Sequence, residues 1–156
     1  MTQEKDMIKV YEGLMKKHGL PELSLLDKEF CIGKIEETDY VLRFVVNKMA
    51  ERLEHVLKIL GDILQPESSI TSMYEAESFS EDEMKKIFEF FKKVSSYHAD
   101  LLINDFDHDE ESAAKLIIKT HNEWNDVKQE FVKILSKIKD AWKNEQKTKK
   151  ELGYFG

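Results

Sequence analysis

Two histidines, His98 and His121, interrupt apolar runs of helical spacing and are the first residues to consider for chemistry. Imidazole binds metal or moves protons near neutral pH, and two of them facing each other across a core could do either. They flank one acidic turn at similar distances, so on sequential antiparallel helices they would come level. Two ligands are nevertheless too few for a protein-held metal, and the nearest carboxylates lie in the turn. No metal or cofactor is therefore expected. A core or boundary role, with each ring bonded to a carbonyl or side chain, accounts for both. His55, beside Glu51 and Glu54, reads as a surface residue.

The acidic turn itself, Asn104 to Glu111, places Asp105, Asp107 and Asp109 at alternate positions, as a calcium loop begins. Such a loop needs glycine at its sixth position and glutamate at its twelfth. Glu110 and Leu116 stand there instead. These carboxylates are better suited to stabilising the N-terminus of the following helix, where the peptide dipoles favour negative charge.

The third chemistry-bearing stretch is basic. Seven lysines fall between Lys133 and Glu151, whereas residues 67–83 carry six carboxylates and no base. Trp142, Lys143, Lys147, Lys149, Lys150, Tyr154 and Phe155 together offer ammonium groups and aromatic faces. That combination can grip phosphates and stack on bases, or dock on a protein. It is also what a solvated helix C-terminus looks like, since cations are favourable there.

Other signatures are missing. There is no GxGxxG, no GxxxxGK[ST], no HExxH and no GxSxG. No histidine follows a glutamate by three positions, which removes the di-iron pattern of helical bundles. Cys31, the sole cysteine, has no CxxC or histidine partner at metal spacing. Between Phe30 and Ile32 it reads as a buried, inert thiol. The chain is expected not to be an enzyme.

The elements that would position these groups are helices. From Leu42 to Ile63, Leu42, Val46, Met49, Leu53, Val56, Leu60 and Ile63 recur in four-three steps, which only a helix satisfies. Val45, Leu57, Ile59 and Leu64 widen that face, so this helix should touch more than one neighbour. Glu36, Glu37 and Asp39 are expected in its first turn, and Gln65-Pro66 should end it. Residues 3–18 read as a first helix with Met7, Tyr11, Leu14 and Met15 on one face, stopped by Gly19 and Pro21. Gly13 inside it reflects either close helix contact or mere tolerance. Leu23, Leu26 and Phe30 suit a short helical plug ending near Gly33.

Residues 67–79 form the longest connection, with Ile70, Met73 and Tyr74 spaced to share a face. A connection of that length is packed through its own side chains or functional. Ser80 and Glu83 predict a capping box, with Phe79 stapling onto Met84. The helix they start should end near Ile103, with Met84, Ile87, Phe88, Phe91, Val94, His98, Leu101 and Leu102 inward. The last helix presents Ile117, His121, Trp124, Val127, Phe131, Leu135, Ile138 and Trp142 inward. If it runs over 109–150 it is roughly 60 Å long, against roughly 45 Å for the main helix, and should overhang the bundle.

The fold expectation is all-α: an antiparallel bundle of about four helices plus a short helical segment, with an elongated C-terminal helix. Residues 1–142 would form the bundle and 143–156 a lysine-rich extension. A net charge of −7 disfavours bulk attraction to nucleic acid or anionic membranes. No apolar run approaches the ~20 residues of a membrane span, and the charged first nine residues are unlike a secretory signal. A cytoplasmic location is the expectation. Function is expected in a protein-interaction (adaptor or scaffold) module, using the overhanging helix or the 67–79 connection, with self-association as a variant. A nucleic-acid accessory protein using the lysine tail is the alternative, and a metal-binding bundle using His98 and His121 the next.

Overall fold

The computed structural model describes residues 2–35, 39–67 and 69–144. Among them are six helices and no strand: α1 (Thr2–His18), α2 (Leu23–Phe30), α3 (Val41–Leu64), α4 (Ile70–Glu77), α5 (Glu81–Phe106) and α6 (Glu110–Lys143). The architecture is an all-α bundle in which α3 is central and packs on each of the other five helices. Its wide apolar face explains this. All seven residues of the four-three seam are buried, Val45 is buried beside them, and Leu57, Ile59 and Leu64 pack at the margin.

Cross-links fix the directions. Arg43 at the start of α3 pairs with Asp105 at the end of α5 at 3.1 Å. Along α5 and α6, Glu83 pairs with Lys137, the Tyr97 hydroxyl donates to Glu123 at 3.3 Å, and Asp100 lies 4.0 Å from Lys119. Arg43 and Asp105 join the beginning of α3 to the end of α5, and as the α5 partner advances from Glu83 to Asp100 its α6 partner retreats from Lys137 to Lys119, so α3, α5 and α6 alternate in direction.

Helix ends follow local chemistry. α1 stops at Gly19, whose φ of 68° is open to glycine without steric cost, and the amides of Gly19 and Leu20 both return to the Met15 carbonyl. Tyr11, fully buried in α1, donates its hydroxyl to the Pro21 carbonyl at 2.6 Å, and burial pushes that hydroxyl up to about 12. Gly13 has nothing within 4 Å of where a β-carbon would stand, so tolerance and not close approach explains it. Gly13→Ala should therefore stabilise the chain by about 0.5–1 kcal/mol, read as a higher denaturation midpoint at unchanged slope.

Several expectations are corrected. α2 ends at Phe30, and Cys31 itself takes the left-handed conformation (φ 54°) that closes it. That turn sends the thiol outward while Phe30 and Ile32 on either side are buried, so Cys31 is exposed. α3 begins at Val41 with Tyr40 as an uncapped N-cap, so Asp39 precedes its first turn. Glu36 and Glu37 lie outside the described residues. α3 is 24 residues long, shorter than expected.

The 67–79 connection contains a helix, α4, capped by Ser69 accepting from the Ser72 amide at 3.1 Å. Its three apolar residues do not share a fate: Tyr74 turns in while Ile70 and Met73 stay out. α5 starts with the expected capping box, Ser80 and Glu83 exchanging bonds of 3.2 and 3.1 Å, and runs on to Phe106. Its buried face is Ile87, Phe90, Val94, Leu101 and Asn104, so Phe88 and Leu102 are exposed, contrary to the expected face. Successive apolar pairs such as Ile87-Phe88 left the phase ambiguous by one residue. In α6, likewise, Ala113, Ala114, Thr120 and Ala141 are buried, whereas Leu135 and Trp142 are partly exposed.

Candidate interaction surface

The two stretches considered separately for docking, the 67–79 connection and the end of the last helix, meet. Tyr74, buried, donates its hydroxyl to the Ala141 carbonyl at 2.6 Å. The final carbonyls of a helix lack intrahelical amide partners and carry partial negative charge, so a donor there is favourable. The Trp142 ring lies on Tyr74 with centroids 4.3 Å apart, tilted by 38°, and its indole N–H donates to Glu75 at 3.0 Å. α4 therefore grips the end of α6 at three points. α4 covers the end of α6 at Ala141 and Trp142, while the overhang expected toward residue 150 lies outside the described residues past Asn144.

Around the buried Tyr74 three large side chains remain open: Ile70 at 72% exposure, Met73 at 47% and Trp142 at 46%. Ile70 is one helical turn from Tyr74 and Trp142 lies on it, so both open side chains border the same buried ring. Trp142 and Lys143 are the last two apolar and basic positions of α6, and Lys143 is exposed. Lys147, Lys149, Lys150, Tyr154 and Phe155 lie outside the described residues, as does the proposed extension beyond Asn144.

Beside this junction is a hollow of about 590 Å³ walled by Ser78, Val132, Lys133, Lys137 and Asn144. A second hollow, about 290 Å³, shares Lys133 and Lys137 and reaches Phe79, Glu83 and Ile87. Lys137 organises the boundary: it pairs with Glu83 and its ammonium sits 5.4 Å from the Phe79 ring centre. The Lys137 ammonium, then the Ser80 amide, lower the Glu83 carboxyl from 4.5 to about 2.

The sign of the consequence is fixed. A carboxyl held down in the folded state stabilises it above the ordinary value, and that contribution fades as protons are forced on. Wild type should thus exceed Glu83→Gln in stability at neutral pH, with the gap closing between 4.5 and about 2. Denaturant midpoints of both proteins across that range are the check.

The acidic turn behaves as a set of caps and pairs. Asp109 caps α6 by accepting from the Ser112 amide and hydroxyl at 2.9 and 2.7 Å, which holds its carboxyl below the usual range. Asp105 is committed to Arg43, and Asp107 closes α5. Glu110 is held by Lys17 and His18 at the end of α1.

His98 and His121 are level on α5 and α6, between the Tyr97–Glu123 and Asp100–Lys119 pairs. Both are half-buried and neither belongs to the core. Among the described residues, no group of three or more histidines, cysteines or carboxylates is placed to hold a metal ion. His121 Nδ1 is enclosed without a hydrogen-bond partner.

One cluster gave no sign in the sequence. Glu29 on α2 accepts from the Trp124 indole at 2.8 Å and from Lys128 at 2.9 Å, pinning α2 to the middle of α6. Lys128, then Trp124, lower the Glu29 carboxyl below its usual range. Glutamate and tryptophan nearly a hundred positions apart carry no spacing signal, so only the fold reveals the contact.

No helix among the described residues is long and apolar enough to cross a membrane. In comparisons with known proteins, no family model, curated protein or solved structure matches the chain.

Proposed function

We propose that the chain is a non-catalytic protein-interaction module whose docking surface is the joined α4–α6 end. The observation that carries this reading is the trio Ile70, Met73 and Trp142, left open around a Tyr74 that is itself locked to the α6 terminus. Buried aromatic anchors ringed by lesser contacts dominate protein interfaces, and tryptophan is prominent among them. Methionine adapts its shape to varied partners. Holding the anchors on two hydrogen-bonded helices lowers the entropy lost on docking. Lys143, with Lys147, Lys149, Lys150, Tyr154 and Phe155 further along the chain, would extend the surface with positive charge and aromatic area.

The test is capture from source lysate by three proteins: the full chain, a chain ending at Asn144, and Ile70→Glu/Met73→Glu. Both substituted residues are exposed, so the fold should survive, and circular dichroism confirms it. Discrete proteins captured by the full chain and lost with the double substitution support the reading. Capture that ignores the substitution overturns it. Nucleic acid released steeply by salt, and lost with residues 145–156, would instead establish phosphate binding by the lysines.

A further inference from the structure

We infer that residues 147–155 of this chain dock back on the open face of α4, lysines first and apolar residues after them. Ile70, Met73 and Glu77 define that face: they stand three and four positions apart, one stripe beside the buried Tyr74. All three are exposed. Among the described residues Glu77 takes part in no ion pair, and neither does the exposed Glu67 just ahead of the helix. Glu75, by contrast, is committed to Trp142. No basic residue lies between Ile59 and Met84. Open apolar side chains flanked by unpaired carboxylates call for an occupant that is both cationic and apolar.

The chain carries such a segment, and it starts in the right place. Gln146 to Lys150 holds three lysines and no acid, and Leu152, Tyr154 and Phe155 follow. Asn144, where the described residues end, lines the same hollow as Ser78, at the C-terminal end of α4. A chain leaving from there meets Glu77 first, then Met73, then Ile70. Its own order matches, charge before apolar surface. Leu152 stands eight residues past Asn144, a reach of up to ~26 Å at ~3.3 Å per residue. α4 is only ~12 Å long, so the whole stripe lies within that reach.

The nearest competing place is the hollow itself. Lys133 and Lys137 line it against one acid, Asp140, so it offers the segment's lysines like charge. α4 offers the opposite sign. Tethering lowers the affinity required: a linker this short gives an effective concentration on the order of 1 mM, so an intrinsic contact of that strength keeps the face half occupied. A partner at the α4–α6 junction then has to displace the segment, whose lysines and rings become available to add to the contact. That consequence rests on the proposed function, and the docking itself does not.

Methyl NMR of the full chain with labelled methionines tests the docking, because the Met73 methyl would lie against an aromatic ring. Its resonance, assigned with Met73→Leu, is expected to be ring-shifted and to lose that shift in Tyr154→Ser/Phe155→Ser. Glu77→Lys, at an exposed position, should lower the docking equilibrium at least about tenfold, by replacing attraction with repulsion. A Met73 resonance indifferent to the aromatic substitutions overturns the proposal. So does a shift that grows with protein concentration, which would put the segment on a second copy. Docking that ignores Glu77→Lys overturns the lysines-first register. The isolated chain is measured, so failed capture from lysate leaves this result standing, and failed docking leaves capture standing.

Discussion

Replacing Trp124 with alanine should cost about 3–5 kcal/mol of folding stability, enough to leave much of a marginally stable domain unfolded. Two separate interactions end on this one side chain. Its ring is buried and lies 5.0 Å from that of Phe30, tilted by 48°. Its indole N–H donates to Glu29. Its place in the middle of α6 makes it the point where α2 is held down. Without it Glu29 keeps only Lys128, and Phe30 faces a cavity. Trp124→Phe restores the ring contact but not the donor, and should recover most of the loss, leaving a deficit of about 1–2 kcal/mol. Denaturant unfolding of the three proteins measures both steps. A Trp124→Ala midpoint close to wild type would mean that α2 is not anchored in this way.

The second large effect is expected at the centre of the bundle. Leu60 is fully enclosed near the end of α3, and Leu60→Ala should cost about 2–5 kcal/mol by lost transfer energy and residual cavity. α3 touches every other helix, so the loss should appear as one cooperative transition moved to lower denaturant. Leu57, on the same helix but only partly buried, is the control: Leu57→Ala should cost less than half as much. Two transitions in Leu60→Ala, one for α5 and α6 and one for the rest, would show that α3 does not unify the domain.

How much of this was legible beforehand depends on the range of the interaction. The four-three spacing of α3, the Ser80–Glu83 box and the Gly19 stop are local, and each appears where its residues place it. Phase was harder. Where apolar residues are adjacent, as at Ile87-Phe88 and Leu101-Leu102, a helical period fits two faces a residue apart. The packed face is decided by which neighbour supplies room. Cys31 failed for another reason, because a left-handed turn overrode the apolar residues around it. The proposed docking surface was half visible. Trp142 and the 67–79 stretch each stood out, but nothing in the sequence joins Tyr74 to the Ala141 carbonyl sixty-seven positions away. What the sequence offers as two separate stretches is one junction, because α4 closes over the end of α6.

The joined site therefore bears the account's central claim. The most direct measurement is amide hydrogen exchange of the full chain, alone and in complex with the protein it captures. Slowed exchange appearing together in 70–77 and in the last turns of α6, with α1 and α2 unchanged, is the predicted result. Protection confined to α1 and α2, or to one of the two joined helices alone, would contradict it.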